Sequence, residues 1–420
     1  MQLPIKIKAG AGVQRFSAPR TALIHYWYFR RRGGERVFDV IADVFPQADI
    51  FMILCDFNAL SPAVMNHRVS TSLLNRLPKV KNYYRALLPF FPFALEQFDL
   101  TAYDLVISHE AGPAKGVLTR SDTRHICYCH TPLRYLWDMY HDYLRAAPGG
   151  PLGRAAYALI SHYVRRWDFQ TSARVDEFLA SSQNSARRIR KYYRRDSNVL
   201  YPPVNLSSFS IHNNPARNFY LVVSPLVKYK RVDLAIEACN KLRRNLVVIG
   251  DGEQRKTLQG IAGPTVSFFG HQPDAVVREH FRNCKALLFP GEEDIGLTPI
   301  EAQASGRPVI AYGRGGALET IQAFYPDESM FPDLHSGLFF REQSAESLAE
   351  AMCAFERVEP SFRPGFVRRS VQRFDEGWFR QGLLTFVANS MQTDAVCRTE
   401  EDSPVSIVAE SMLKIAGTEN

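Results

Sequence analysis

The chain has 420 residues, of which 46% are apolar and 22% charged, with a formal charge of +8. That length exceeds one ordinary core and suits two domains of about 150–200 residues each, and the apolar runs fall short of the roughly 18 residues a spanning helix needs. Seven scattered cysteines, an odd number in so large a chain, exclude a disulfide framework and point to reduced thiols in a cytoplasmic compartment.

Residues 1–20 carry Lys6, Lys8, Arg15 and Arg20 without the apolar stretch of a secretory signal, and read as a loose N-terminal extension. Short β-rich runs then alternate with helical patterns, the mark of parallel α/β folding. Thr21–Phe29 is predicted as the first strand, followed by Gly33-Gly34 and a helix from Glu35. Ile50–Leu54, Asp104–Ser108, Arg124–Cys129 and Glu177–Ser181 are further strands, apolar enough to be buried on both faces. Between them, Lys79, Lys81 and Arg85 mix with Tyr83, Tyr84, Phe90, Phe91, Phe93 and Phe98. Such a segment suits a membrane interface or a lipid-linked ligand, although aromatics at this density more often anchor a core. Residues 1–200 carry 28 basic against 16 acidic side chains, whereas the remainder has 23 against 27. A basic N-terminal half suits nucleic acid, anionic headgroups or a phosphorylated ligand, with a plain solvated surface as the alternative.

Tyr201-Pro202-Pro203-Val204-Asn205 stiffens a short link, and the domain boundary is set there, giving domains over 21–203 and 204–365. The alternation restarts with strands at Phe219–Ser224, Asn245–Ile249, Val266–Phe269, Ala286–Phe289 and Pro308–Tyr312. Helices are expected at Val232–Leu242, Gln254–Ile261, Leu297–Ser305 and from Gly315 to Ile321. Beyond Ser344 the pattern is helical, at Glu346–Glu356 and Phe374–Met391. Residues 366–392 are expected to cross back to the first domain, and 393–420 to form a polar, flexible tail. The fold class is therefore α/β, with two Rossmann-like domains facing a central cleft.

The most specific chemistry lies in Glu293-Asp294-Ile295-Gly296-Leu297-Thr298-Pro299-Ile300-Glu301. A buried strand ends just before it and a helix begins inside it, so backbone N–H groups and a positive helix end are offered to an anion. Gly296 lets the backbone approach a ligand closely. Two glutamates eight apart, one before the turn and one within the helix, face one ligand from different sides; a solvated helix residue and a loop carboxylate are the bland alternative. Lys228-Tyr229-Lys230-Arg231 opens the helix after the Phe219–Ser224 strand, where fixed cations would stabilise a departing diphosphate. Gly250-Asp251-Gly252-Glu253 and Gly270-His271 are turns at the same sheet edge. Gly315-Gly316 opens another helix, with Glu319 read as structural. His130 leaves a strand end toward the cleft, where an imidazole reaches a sugar hydroxyl; a packed core histidine is the alternative. Cys127, Cys129 and His130 lack a second ligand pair, so zinc is not expected. A dinucleotide Gly-x-Gly-x-x-Gly fingerprint is absent after the first strand, and no Asp-x-Asp occurs to hold a divalent ion.

The Glu293–Glu301 segment resembles the E-x7-E signature of the retaining glycosyltransferase family 4, whose fold is the two-domain GT-B type. The resemblance covers residues 21–390 and is strongest over 219–321. It implies that Glu293 binds hydroxyls of the donor sugar and Glu301 the nucleotide ribose. Ile295, Gly296, Leu297, Thr298, Gly315 and Gly316 would bring backbone to the donor, Gly250 would lie near the nucleotide, and Gly270 near its base. Lys230 matches the family's lysine, Arg231 stands where glycine is usual, and Pro225 stands in the family's arginine position, so that one phosphate ligand is missing. Gly33-Gly34-Glu35-Arg36 resembles the family's Gly-Gly loop against the donor phosphates, and His130 its cleft histidine. The resemblance implies a metal-independent, retaining transfer with no cofactor, from a nucleotide diphosphate sugar to a lipid-linked or oligosaccharide acceptor. The Lys-Arg form is similar to the polysaccharide mannosyltransferase subgroup, hence GDP-mannose as the expected donor, with peripheral attachment to the inner face of the plasma membrane and no nucleic acid partner. An epimerase or hydrolase on the same fold, and an inactive nucleotide-sugar-binding scaffold suggested by Pro225, are the alternatives.

Overall fold

The computed structural model describes residues 19–109, 112–211, 216–328 and 332–401, with side chains to residue 392. Residues 1–18 of the expected extension and 402–420 of the expected tail lie outside the described residues.

The first sheet contains β1 (Thr21–Tyr28), β2 (Asp49–Cys55), β3 (Val69–Thr71), β4 (Leu105–His109), β5 (Arg124–Cys129), β6 (Glu177–Ala180) and β7 (Asn198–Val199). Its order is β3-β2-β1-β4-β5-β6-β7, with every neighbouring pair parallel. The second contains β8 (Tyr220–Val223), β9 (Leu246–Ile249), β10 (Val266–Gly270), β11 (Leu287–Phe289), β12 (Val309–Tyr312), β13 (Ala323–Phe324) and β14 (Gly337–Phe340). Its order, β10-β9-β8-β11-β12-β14-β13, is again all parallel. Two doubly wound sheets joined near Tyr201 make the two-domain α/β fold.

Alternation along the strands explains the layers. Ala22, Ile24 and Tyr26 of β1 enter one buried cluster with Phe91 and Trp167, while Leu23 enters another with Phe38, Ile41 and Phe379. In the second domain Tyr220 and Val222 pack under the helix Ala345–Val358, and Leu221 packs with Phe281 and Val309 on the other face. Helix starts follow local chemistry. The Glu35 carboxylate accepts the Arg32 N–H at 3.0 Å, so the first helix begins at Gly33 rather than Glu35. Ser182 caps Gln183–Tyr193 by accepting the Ser185 N–H, and Ser344 caps Ala345–Val358 through the Ser347 N–H.

Some features depart from expectation. The strands β3, β7, β13 and β14 are not predicted, being short or flanked by turns. The last helix runs from Glu376 to Glu401, past Met391, because no glycine or proline interrupts residues 392–401. Its side chains Phe379, Leu383 and Val387 pack on the first domain, and Arg380 pairs with Asp43 at 3.1 Å. Among the described residues no helix is long and apolar enough to cross a membrane.

Sheet order decides where ligands go. The winding direction reverses between β1 and β4 and between β8 and β11, and the loops at the carboxyl ends of these strands are the usual binding edge.

Candidate active site

Three loops of the second domain converge on Glu293. The turn after β8 brings Lys230, whose ammonium is ion-paired with the Glu293 carboxylate. The loop after β11 carries Glu293 itself and crosses closely over Lys230 at Gly291, where an added Cβ would come within 3.0 Å of the Lys230 Cα. The loop after β12 donates the Gly316 N–H to the Glu293 carbonyl at 2.8 Å. A Cβ at Gly316 would lie 2.3 Å from the Ile295 Cα, so only glycine allows this approach. Gly315 adjoins it with φ +63.

Gly296 has φ +75 and begins the helix Leu297–Ala304, and a side chain there would also strike the Phe289 ring at 2.7 Å. The segment Ile295 to Thr298 thus turns a buried strand into a helix start; Ile295, Ile300 and Val371 form the cluster beneath it. Glu301 is 12% exposed and faces Arg36 of the first domain at 3.3 Å. Burial raises its pKa, with Arg36 opposing. Arg36 also binds Asp274 at 2.6 Å. Gly33 faces this helix start, since a Cβ on it would meet the Leu297 methyl at 3.1 Å, and Gly34 follows it in the first turn of its helix.

The other expected residues are arranged differently. Gly250 and Gly270 meet through a 2.8 Å backbone hydrogen bond, and the turn at Asp251 accepts the Leu226 N–H at 3.0 Å. They therefore brace the loop leading to Lys230 from behind. Arg231 sits in the left-handed region at φ 53, and its guanidinium binds Asp233 at 2.9–3.2 Å. Its charge is neutralised on its own helix and is not brought to Glu293.

His130 is half-buried at the end of β5. Its Nε2 lies 3.0 Å from His109 Nε2, and His109 Nδ1 lies 3.2 Å from His25 Nδ1. Burial lowers the pKa of His130 to about 4 and of His25 to about 3, so both rings are neutral near pH 7. Cys127 and Cys129 are buried against Phe178 and Tyr193, away from solvent. The chain of contacts continues from His130 toward Glu293. Thr131 accepts from Arg188 Nη1 at 3.3 Å, and Arg188 binds Asp294 at 2.8 Å. Asn184 donates to the same Asp294 carboxylate at 3.0 Å. Burial raises the Asp294 pKa against the pull of Arg134 and Arg188.

Arg134, Arg188, Asn184 and Asp294 were not assigned from the sequence. Arg134 follows His130 by four residues at one strand's carboxyl end, which is the signal that was there to be used. Arg188 lies on the helix Gln183–Tyr193, and only the tertiary fold brings it to Asp294. The assembled groove holds cations from both domains, two glutamates and exposed backbone at a helix start. It suits a ligand with a diphosphate, a sugar and a ribose.

Residues 31–208 match the family profile described as Glycosyltransferase Family 4, and residues 205–362 match that described as Glycosyl transferases group 1. The alpha-1,3/1,6-mannosyltransferase of Saccharomyces cerevisiae is 26% identical over 286 residues, 56% of this chain and 55% of that protein. The matched stretch thus spans about half the length of that relative. The human alpha-1,3/1,6-mannosyltransferase is 24% identical over 338 residues, covering 70% of this chain and 77% of its own. The O-antigen chain mannosyltransferase C of Escherichia coli is 27% identical over 242 residues, 53% and 62% of the two chains. Among solved structures, Anabaena HepE in complex with UDP-glucose superposes with a TM-score of 0.63 at 16% identity, over 89% of this chain and 100% of its own. Sucrose-phosphate synthase from Thermosynechococcus elongatus does so with a TM-score of 0.67 at 17% identity, over 90% and 100%. These two likenesses establish the shared fold.

Proposed function

Since the chain belongs to the group 1 glycosyltransferases of family 4, we propose that it is a retaining, metal-independent hexosyltransferase acting in polysaccharide assembly. The donor in this reading is GDP-mannose and the acceptor a lipid-linked or free oligosaccharide. The observation that carries the reading is the Lys230–Glu293 ion pair beside the Gly296 helix start, whose helix also carries Glu301 facing Arg36 of the first domain across the groove. The mannosyltransferases among the relatives support the choice of sugar.

In the proposed reaction the donor's diphosphate lies against Lys230 and the N–H groups that open the helix at Leu297. The bond from the anomeric carbon to the diphosphate oxygen breaks, and the developing negative charge is met by that ammonium and those dipoles. The acceptor hydroxyl adds to the same face of the sugar, and its proton passes to the departing phosphate oxygen. Glu293 leaves Lys230 to hold sugar hydroxyls, Glu301 takes the ribose, and His130 offers its imidazole to the sugar. The ring of His130 is neutral, so it acts as a hydrogen-bonding group rather than a cation.

The expected site of action is the cytoplasmic membrane surface. The helix Gly150–Thr171 supports it: Leu152, Leu159 and Tyr163 are 84%, 74% and 53% exposed at helical spacing, with Arg166 following on the same face. An exposed apolar stripe ending at an arginine suits an anionic lipid surface.

A panel of GDP-mannose, GDP-fucose, UDP-glucose and UDP-galactose, each read for transfer and for hydrolysis, tests the proposal. Turnover of GDP-mannose above the others supports it. Preference for a uridine donor would refute the donor assignment, and silence across the panel with no nucleoside diphosphate binding would refute the reaction.

A further inference from the structure

Arg134 leaves the carboxyl end of β5 and crosses the groove to the second domain. Its guanidinium carbon lies 5.2 Å from the centroid of the Tyr229 ring, and Lys230 Nζ lies 5.4 Å from the same centroid. One aromatic ring is thus shared by a cation from each domain.

The hydrogen bonding of Arg134 is incomplete. Its side chain is 20% exposed, yet Nη2 reaches only the Glu292 carbonyl at 3.4 Å and Nη1 stays 3.8 Å from Asp294 Oδ2. Nε is buried with no partner. Charge-assisted N–H···O contacts are usually about 2.7–2.9 Å, and leaving a buried donor of a charged group unmet is unfavourable. Arg188 shows the contrast: it binds Asp294 at 2.8 Å and Asp138 at 3.2 Å. The nearby carboxylates do not complete Arg134, because Asp294 already receives Arg188 and Asn184, and Glu293 receives Lys230. Nε and Nη2 lie on one edge of the guanidinium plane, the edge that grips two oxygens of a phosphate at once.

We propose that Arg134 is a further phosphate-binding residue, whose Nε–Nη2 edge takes a phosphate group of the ligand opposite Lys230, across the Tyr229 ring. This rests on the glycosyltransferase reading of the groove. The phosphate belongs either to the donor diphosphate or to a phosphate-linked acceptor, and the two sources are separable.

The test uses the full chain as wild type, Arg134→Ala, Arg134→Lys and Lys230→Ala, with thermal midpoints checked for folding. Calorimetric titration with GDP, GMP and guanosine, and with UDP, UMP and uridine, forms the donor arm; octyl phosphate against octyl glucoside forms the acceptor arm. For a donor phosphate, Arg134→Ala loses about tenfold or more in affinity for the diphosphate, less for the monophosphate and little for the nucleoside. Arg134→Lys, keeping the charge without the fork, recovers part of the loss. For an acceptor phosphate, the nucleotide series is unchanged and octyl phosphate alone binds more weakly. Equal losses across a series would mark Arg134 as a mere interdomain contact and overturn the proposal, as would no loss in either arm. If Lys230→Ala loses diphosphate affinity while Arg134→Ala keeps all ligands, this inference fails and the reaction stands. If the wild type binds none of the nucleotides, the reaction itself fails.

Discussion

The carboxylate of Glu319 caps the backbone of Asn184 in the opposite domain: Oε1 accepts the Asn184 N–H at 2.8 Å, and Oε2 accepts that of Gln183 at 2.7 Å. Tyr201 of the interdomain link donates to the same carboxylate at 3.2 Å. A negative group from one domain thus sits on the positive end of a helix in the other, tying the two domains together beside the Asn184–Asp294 contact.

Replacing Glu319 with Gln keeps the shape but removes the charge. Hydrogen bonds to charged groups contribute about 1.5–3 kcal/mol. The variant should therefore open more readily, with a larger radius of gyration in solution scattering and a donor KM raised about three- to tenfold. An unchanged scattering profile would show that other contacts close the domains.

Lys230→Ala removes the cation from the Glu293 pair. A fixed charge at a leaving group stabilises its transition state by several kcal/mol, so turnover should fall at least tenfold, roughly 1.4 kcal/mol or more. Steady-state kinetics near the wild-type rate would remove Lys230 from the mechanism.

Retention is read from the product. From an α-linked donor the new linkage should be α by NMR, and the rate should survive treatment with a chelator. A β-linked product would rule out same-face transfer; loss of activity restored by a divalent ion would rule out metal independence.

Acid should weaken the fold through its buried imidazoles. His125, bonded to Ser108 and to the Arg174 carbonyl, is pushed down to about 4 by burial, as is His130, and His25 to about 3. Unfolded histidines titrate near pH 6.5, so below that pH the unfolded chain binds more protons than the native one. Stability is full above pH 6.5 and falls by about 1.4 kcal/mol per histidine at pH 5.5. Asp294 and Glu301, whose pKa values are raised by burial, act in the opposite sense closer to the carboxylate range. The thermal midpoint should drop between pH 7.5 and 5.5, and less steeply in His125→Gln. A parallel drop in the variant would remove His125 from the account.

Vesicle flotation tests the surface of the Gly150–Thr171 helix. The wild type should bind vesicles containing anionic phosphatidylglycerol, and Leu159→Glu with Tyr163→Glu should bind several-fold less at unchanged stability. Equal binding by both proteins would place the contact elsewhere.

The parts of this molecule legible in its sequence are local. Strand alternation, the turn at Gly296 and the glycine turn at Gly315-Gly316 follow from residue types a few positions apart. What the sequence left obscure depends on distant partners. Arg36 meets Glu301 and Arg188 meets Asp294 only once both sheets are wound and docked. His25 stands beside His109 because β1 and β4 pair in that register, although β2 and β3 separate them in the chain. Arg231 shows the opposite case, since an acid two residues later pairs with its charge. Residues 57–96 fold as short helical turns, two brief helices and the short strand β3, whose order comes from packing rather than periodicity.

The ammonium of Lys230 already has a mate in Glu293. An anion arriving alone would have to break that bond and leave a carboxylate stranded. A guest that brings hydroxyls along with its charge satisfies both halves at once. The bare nucleoside diphosphate should therefore bind measurably but more weakly than the intact donor, and the spent product should be released more readily.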